Sequence, residues 1–484
     1  MAKKIIIFVL GLIMVSCNSF SAEMITIPAD KYEIILKRLE SLEKKVQQLE
    51  KERKKEVNQL RGGIRQVKSN INDIYDTLDE VQTKTLLDKI NFGAELRTRL
   101  DFFDLHNTKS IKTGKKTDYH NNNFWSNRFR LNMRANIIKN LSFHGRLTVY
   151  KNWGDSDRVM PNLYNDADRA HVPDDTTLKL DRAYVDWIIP DIPIPLALTF
   201  GRHPSTEGPP FELKENRKRQ STYPALIIDG EADGIVVTFG LERYIGIKNC
   251  GFRIAYGKAY QDDDDQKIYL DSRDTGMNDS DMLGLFFEGE IPHIKDSLFV
   301  LSYVKAWSIV DSSVNATKNM GDLQVMGLHL QSYHFPVSNV DVFFSSGISM
   351  SDPNGNITSI YGKPMGLLSD DGSSNHVGWA VYTGFRYTLP FKCLKNAKLG
   401  FEYNHGSRYW LSFTWGSAEL YNKLATRGNV YDFYYIQPFN KHLFLRTGFT
   451  YIDYDYTGSG WHLGRPQRTD ENLTDFYMLI DCRF

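Results

Sequence analysis

The stretch Arg128-Phe129-Arg130-Leu131-Asn132-Met133-Arg134-Ala135-Asn136-Ile137 decides the fold. Its apolar residues alternate strictly with arginine and asparagine. A period of two is the signature of a β-strand with one apolar and one strongly polar face. Leu141, Phe143, Leu147 and Val149 repeat the pattern against Ser142, His144, Arg146 and Thr148. Such a strand lies half-buried in a soluble sheet, or it faces lipid outside and water inside a membrane barrel.

The rest of the chain separates the two. Strands read near 90–103, 123–138, 141–152, 178–189, 194–201, 230–240, 248–258, 281–290, 296–306, 323–332, 338–349, 375–388, 395–405, 427–438, 441–453 and 472–484. That is an even set of sixteen. Short connections, such as Lys139-Asn140 and Pro190 to Pro193, alternate with long ones rich in Asp, Asn, Gly and Ser. This parity predicts an all-β, transmembrane antiparallel β-barrel of about 16 strands, with short periplasmic turns and long outer loops. The chain ends on Phe476, Met478, Ile480, Cys482 and Phe484 in alternation. Phe484 resembles the terminal aromatic signal read by the barrel-assembly machinery. Aromatics near strand ends, among them Trp153, Trp187, Trp307, Trp379 and Trp410, fit interfacial girdles.

Composition agrees with this class. The 484 residues carry 59 Lys+Arg and 59 Asp+Glu, which argues against a nucleic-acid binder. Mean hydropathy is −0.41, which excludes a bundle of membrane helices. Aromatics nevertheless reach 13%.

Lys3, Lys4 and the apolar run Ile5 to Val15 form a signal peptide, 1–21. Ordinary cleavage after Ser19-Phe20-Ser21 competes with a loose lipobox that would acylate Cys17. The remaining Cys250, Cys393 and Cys482 read as lone small hydrophobes. Residues 24–88 follow as an α-helical coiled-coil arm in the periplasm, before the barrel at 90–484. The apolar series Tyr32, Ile35, Leu39, Leu42, Val46, Leu49, Val57, Leu60, Ile64, Val67, Ile71, Ile74, Leu78, Val81 steps by threes and fours, broken by a stutter at Arg53. β-Branched residues in its second half lean to three strands, hence a homotrimer. A helical hairpin on the same chain is the alternative.

Strand parity assigns the lumen. It receives Glu95, Arg97, Arg99, Arg128, Arg130, Arg134, His144, Arg146, Arg182, Tyr184, Asp186, Glu402, Asn404 and Arg446. Arginine on the lipid face at mid-bilayer would cost about 2–4 kcal/mol each. A basic ladder favours anions in a narrow channel. The alternative is a set of Arg–carboxylate pairs that plugs the lumen. The third outer loop, 202–229, carries Gly208-Pro209-Pro210, Glu207, Glu212, Arg217, Lys218 and Arg219. A rigid charged loop suits a constriction inside the barrel, or it lies on the surface. Asp262 to Asp265, Asp271 and Asp274 form a solvated acidic tip or hold Ca²⁺. His405 and Ser407 are the faint trace of a hydrolase site. No nucleotide loop or metal constellation is convincing, so no cofactor and no metal is expected.

Three stretches carry a family resemblance: Phe200-Gly201-Arg202, Asp229-Gly230-Glu231-Ala232-Asp233-Gly234, and Trp415 to Gly428, WGSAELYNKLATRG. With the leader, arm and barrel, the chain resembles a family of bacterial outer-membrane proteins of unknown function. The resemblance covers most of the mature chain and implies a barrel, with no solute or functional residues to carry over. The plan is also similar to trimeric porins whose N-terminal helices tether the outer membrane to the cell wall. The expected function is a Gram-negative outer-membrane porin for passive diffusion of small polar or anionic solutes. Expected partners are lipid, lipopolysaccharide, the assembly machinery and peptidoglycan. A structural tether is the alternative.

Overall fold

The computed structural model describes residues 29–82, 90–110, 112–153, 176–190, 192–261, 276–312, 316–335, 337–414 and 420–484. The leader with Cys17, the acidic tip Asp262 to Asp274, and Trp415 to Glu419 lie outside the described residues. The chain divides into two compact units, Met1–Thr85 and Leu86–Phe484.

The first unit holds one helix, α1 (Ala29–Gln82), of 54 residues. It runs unbroken through Gly62-Gly63, so no hairpin forms within it. Two glycines cost about 1 kcal/mol each, which a helix of this length absorbs. Leu42, Val46, Leu49, Leu60, Ile64 and Val67 are all exposed along it.

The second unit is a closed antiparallel barrel. Its strands are β1 (Ile90–Lys109), β2 (Lys116–Ile138), β3 (Leu141–Asn152), β4 (Lys179–Ile189), β5 (Leu196–His203), β6 (Ala232–Gly240), β7 (Gly251–Tyr260), β8 (Ser280–Gly289), β9 (Ser297–Val310), β10 (Asn319–Ser332), β11 (Val340–Pro353), β14 (His376–Thr388), β15 (Lys398–Gly406), β16 (Gly428–Pro438), β17 (Leu443–Tyr454) and β18 (Asn472–Arg483). The pair β12 (Thr358–Ile360) and β13 (Lys363–Met365) forms a separate hairpin in the loop after β11. Each barrel strand pairs with its sequence neighbours, and β1 pairs with β18 to close the ring. At that seam Phe484 exchanges two backbone hydrogen bonds with Ala94, at 3.0 and 3.1 Å. All sixteen barrel strands coincide with the alternating segments of the sequence.

Two connections are shorter than the sequence predicts. Residues 104–122 look like a polar outer loop. Instead they extend β1 and β2 into a hairpin of 20 and 23 residues, turning over 110–115. Cross-strand pairs such as Leu105 with Tyr119 and Thr108 with Thr117 carry it. The β9–β10 connection shortens likewise to 311–318.

The outer face is apolar. Phe92, Leu96, Ile188, Leu301, Phe433, Phe449, Phe476 and Ile480 are all exposed on it. A closed ring satisfies every strand edge internally, and this exterior suits lipid. Cys482 is exposed with them, as is Cys393 in the β14–β15 turn; of the three described cysteines Cys250 alone is buried as a small hydrophobe.

The inner face departs from simple parity. On β8 to β14, Phe286, Val300, Val304, Leu323, Val325, Phe343, Ala380 and Tyr382 point inward and are buried. The inner faces of these strands mix such apolar residues with polar ones such as His329, Gln331, Asp341 and Ser345, because something largely apolar fills the barrel beside them.

Candidate functional site

Two loops fill the lumen. The first is 204–231, between β5 and β6, with the one-turn helix α2 (Phe211–Lys214). Glu207 N–H donates to Asp229 Oδ1 at 2.9 Å, and Ala225 N–H to Pro209 C=O at 2.9 Å, folding the loop on itself. Gly208 is required here, since a Cβ would stand 1.8 Å from Tyr223 C=O. Sequence reasoning missed the second loop, 407–427, between β15 and β16. Trp410 Nε1 donates to Leu424 C=O at 2.9 Å, and Asn404 Nδ2 on β15 to Lys423 C=O at 2.8 Å. The loops join through a parallel bridge between Ile228 and Phe413. Phe211, Leu213, Tyr223, Leu226, Ile227, Trp410, Phe413 and Leu424 pack with the inward residues of β8 to β14 as one core. A signal for this was present in the wall glycines. A Cβ at Gly327 would meet Ile227 Cδ1 at 2.3 Å, and one at Gly347 would meet Trp410 at 2.6 Å. Glycine inside a strand marks such an approach.

The other half of the lumen is charged. β1, β2 and β3 stand in register, so that Arg97 faces Arg128 and Arg128 faces Tyr150. Glu95 faces Arg130, and Arg130 faces Thr148. Loop 204–231 sets its carboxylates against this wall. Arg130 Nη1 donates to Glu207 at 2.7 Å, and Arg146 Nη2 and Arg182 Nε both donate to Glu231, at 2.9 and 3.0 Å. Arg97 binds Glu215, and its Nε donates to Asp481 at 2.7 Å. Arg446 Nη1 donates to Glu215 at 2.9 Å and to Lys214 C=O at 2.8 Å. Arg99 Nε donates to Asp101 at 2.7 Å, and Arg146 binds Asp181. On β15, Glu402 accepts from Tyr382 at 2.7 Å and from Lys423.

Of the expected lumen residues, Arg97, Arg99, Arg128, Arg130, Arg146, Arg182, Glu402 and Arg446 are thus buried on the inner wall. Arg134 keeps the same parity but is exposed, at the turn end of β2. In the loop, Glu212 accepts from Gln331 and Tyr333 at 2.8 and 2.9 Å, and Arg217 forks onto Glu95 at 3.0 and 3.1 Å. Arg219 reaches Glu288 at 3.3 Å, while Lys218 is exposed. Asp101, Asp181, Asp341, Asp475 and Asp481 escaped the sequence reading, although strand parity places each of them inward. His405 bonds Asn429 at 3.0 Å, and Ser407 Oγ accepts from Trp379 N–H at 2.8 Å. The two therefore serve separate partners. Among the described residues no group of three His, Cys, Asp or Glu is placed to hold a metal.

The comparisons with known proteins bear on the barrel. No curated protein matches. Among solved structures, Pseudomonas putida OprB is similar at 13% identity, with 82% of this chain and 95% of that chain covered and a TM-score of 0.46. OmpT of Vibrio cholerae follows at 11%, covering 82% and 97%, TM-score 0.42. Salmonella typhi OmpF in complex with daunomycin stands at 10%, covering 82% and 97%, TM-score 0.43. The profile of the family described as "Protein of unknown function (DUF3373)" matches residues 118–481, from the β1–β2 hairpin to the last strand. The chain belongs to that family.

Proposed function

We propose that this protein is a channel of the Gram-negative outer membrane for small polar or anionic solutes. The observation that carries the reading is the divided lumen. One half is filled by the apolar core of the two inserted loops; the other is a wall of arginines facing carboxylates of the first of them. Buried polar atoms on the charged side, among them Thr450 Oγ1, Tyr434 OH and Asn404 Oδ1, have no hydrogen-bond partner among the described residues. Buried groups of this kind are satisfied by water, so a wet path along β15 to β18 and β1 to β4 fits them. Opposed charges across a narrow path create a strong transverse field. Planar bilayers containing the purified protein should show discrete conductance steps, with a reversal potential favouring anions. Silence across all potentials would remove the reading.

In this proposal residues 1–21 are the leader, 24–88 the periplasmic coiled-coil arm and 90–484 the barrel. Phe484 is the assembly signal, and lipid and lipopolysaccharide surround the barrel. The exposed seam of α1 supports self-association, with a homotrimer as the stoichiometry. The same helix supports a second reading, a tether to peptidoglycan. Its 54 residues extend about 80 Å. Removal of 24–85 would then loosen the envelope and leave permeability unchanged.

A further inference from the structure

Arg128 sits at the centre of the charged wall and is 3% exposed. Its β1 neighbour is Arg97 and its β3 neighbour Tyr150; Ser126 and Arg130 flank it along β2. Its nearest carboxylates are Glu207, Glu95 and Asp481, at 3.6, 3.8 and 3.9 Å. Each is committed at shorter range: Glu207 to Arg130 at 2.7 Å, Glu95 to Arg217 at 3.0 Å, Asp481 to Arg97 at 2.7 Å. Nε, Nη1 and Nη2 of Arg128 therefore reach no hydrogen-bond acceptor among the described residues. Three further buried atoms beside it make no hydrogen bond among the described residues: Arg97 Nη1, Arg130 Nε, which has Asp181 at 3.8 Å, and Ser126 Oγ.

A buried guanidinium without acceptors costs several kcal/mol, and folded proteins satisfy it. The unanswered atoms of Arg97, Arg128 and Arg130 are guanidinium N–H donors, and a ligand that meets them must offer acceptors. A planar carboxylate matches the fork of one arginine and leaves edges for the second donor set. The three carboxylates within 4 Å repel additional negative charge. A singly charged anion is favoured over a multiply charged phosphate on that ground.

We infer that Arg128, with Arg97, Arg130 and Ser126, forms a binding site for a small monocarboxylate on the lumen wall. The inference rests on the channel reading for the anion's access.

Equilibrium dialysis of the purified full-length protein in detergent against radiolabelled acetate tests it. One saturable site per chain is expected. Unlabelled propionate should displace the label, and phosphate should need at least tenfold more at matched ionic strength. Arg128→Gln should weaken binding at least tenfold. Ser126→Ala keeps the arginines and guards against misfolding of the first variant; it should weaken binding severalfold. Lys139→Gln, in the distant β2–β3 turn, should bind as the native chain does. No saturable uptake, equal uptake in both site variants, or phosphate displacing better than propionate would overturn the site. Conductance in chloride separates the two ideas. A conducting barrel that takes up no acetate loses the site alone, and a silent barrel that binds acetate loses the channel alone.

Discussion

Ile228 and Phe413 meet inside the barrel as a parallel pair, each on a different inserted loop. Asp229 N–H donates to Phe413 C=O at 2.8 Å, and Phe413 N–H to Ile227 C=O at 3.1 Å. This junction ties together the two segments that fill the lumen.

Phe413 is 2% exposed within the apolar core. Phe413→Ala should cost about 3–5 kcal/mol through the lost burial and the cavity it leaves. Unfolding in urea should shift to lower concentration. If the junction narrows the passage, single-channel conductance should rise in the same variant.

Arg427 holds the second loop to the outer loop 455–471. Its guanidinium donates to the carbonyls of Trp410, Thr457, Gly458 and Trp461 at 3.0, 3.2, 2.7 and 2.9 Å. Arg427→Met keeps much of the side-chain bulk and removes the donors. Each carbonyl left buried costs about 1–3 kcal/mol. Limited proteolysis should then cut within 455–471 while the strands stay resistant.

Gly378 on β14 lets the second loop lie against the wall. A Cβ there would meet Tyr409 C at 2.3 Å and Trp410 N at 2.4 Å, both backbone atoms. Backbone cannot rotate away as a side chain can, so Gly378→Ala should cost about 1–3 kcal/mol by overpacking. Heat-modified mobility in detergent gels should show unfolding at a lower temperature.

Along α1, Leu60 and Ile64 are 66% exposed each. Burial of such side chains contributes about 1.5–3 kcal/mol apiece. If α1 carries the proposed homotrimer, the native chain should run as an oligomer in detergent by light scattering and the double variant Leu60→Lys, Ile64→Lys as single chains, with the β-sheet spectrum unchanged. An equal mass for the two would remove α1 as the site of self-association.

Removal of Phe484 should strip two backbone hydrogen bonds from the β1–β18 seam. Folded protein recovered from the membrane fraction should fall, while total synthesis stays constant.

The sixteen strands were legible because an apolar outer face set against a more polar inner one writes an alternation into each strand separately, a purely local demand. Arg97, Arg128, Arg130, Arg146 and Arg182 were legible for the same reason. Burial of their partners Asp181 and Asp481 required knowing that the lumen is filled. Trp410 reads as a girdle aromatic in the sequence yet is buried in the lumen, and nothing periodic in the segment that follows it announces this. Only packing against β8 to β14 gives Trp410, Phe413 and Leu424 a common face.

The sequence alone determined the barrel, its strand count and the arginine-bearing wall, through period-two patterning and the length parity of its turns. Tertiary structure decided what occupies the interior. Inward Phe286, Val304, Leu323 and Phe343 demand an apolar partner, and two loops distant in sequence supply it. The opposite wall keeps its arginines where loop carboxylates can meet them, and it leaves Arg128 at the centre without a hydrogen-bond acceptor among the described residues. Long-range contacts of this kind carry no periodic signature, because only the closed ring brings their partners within reach.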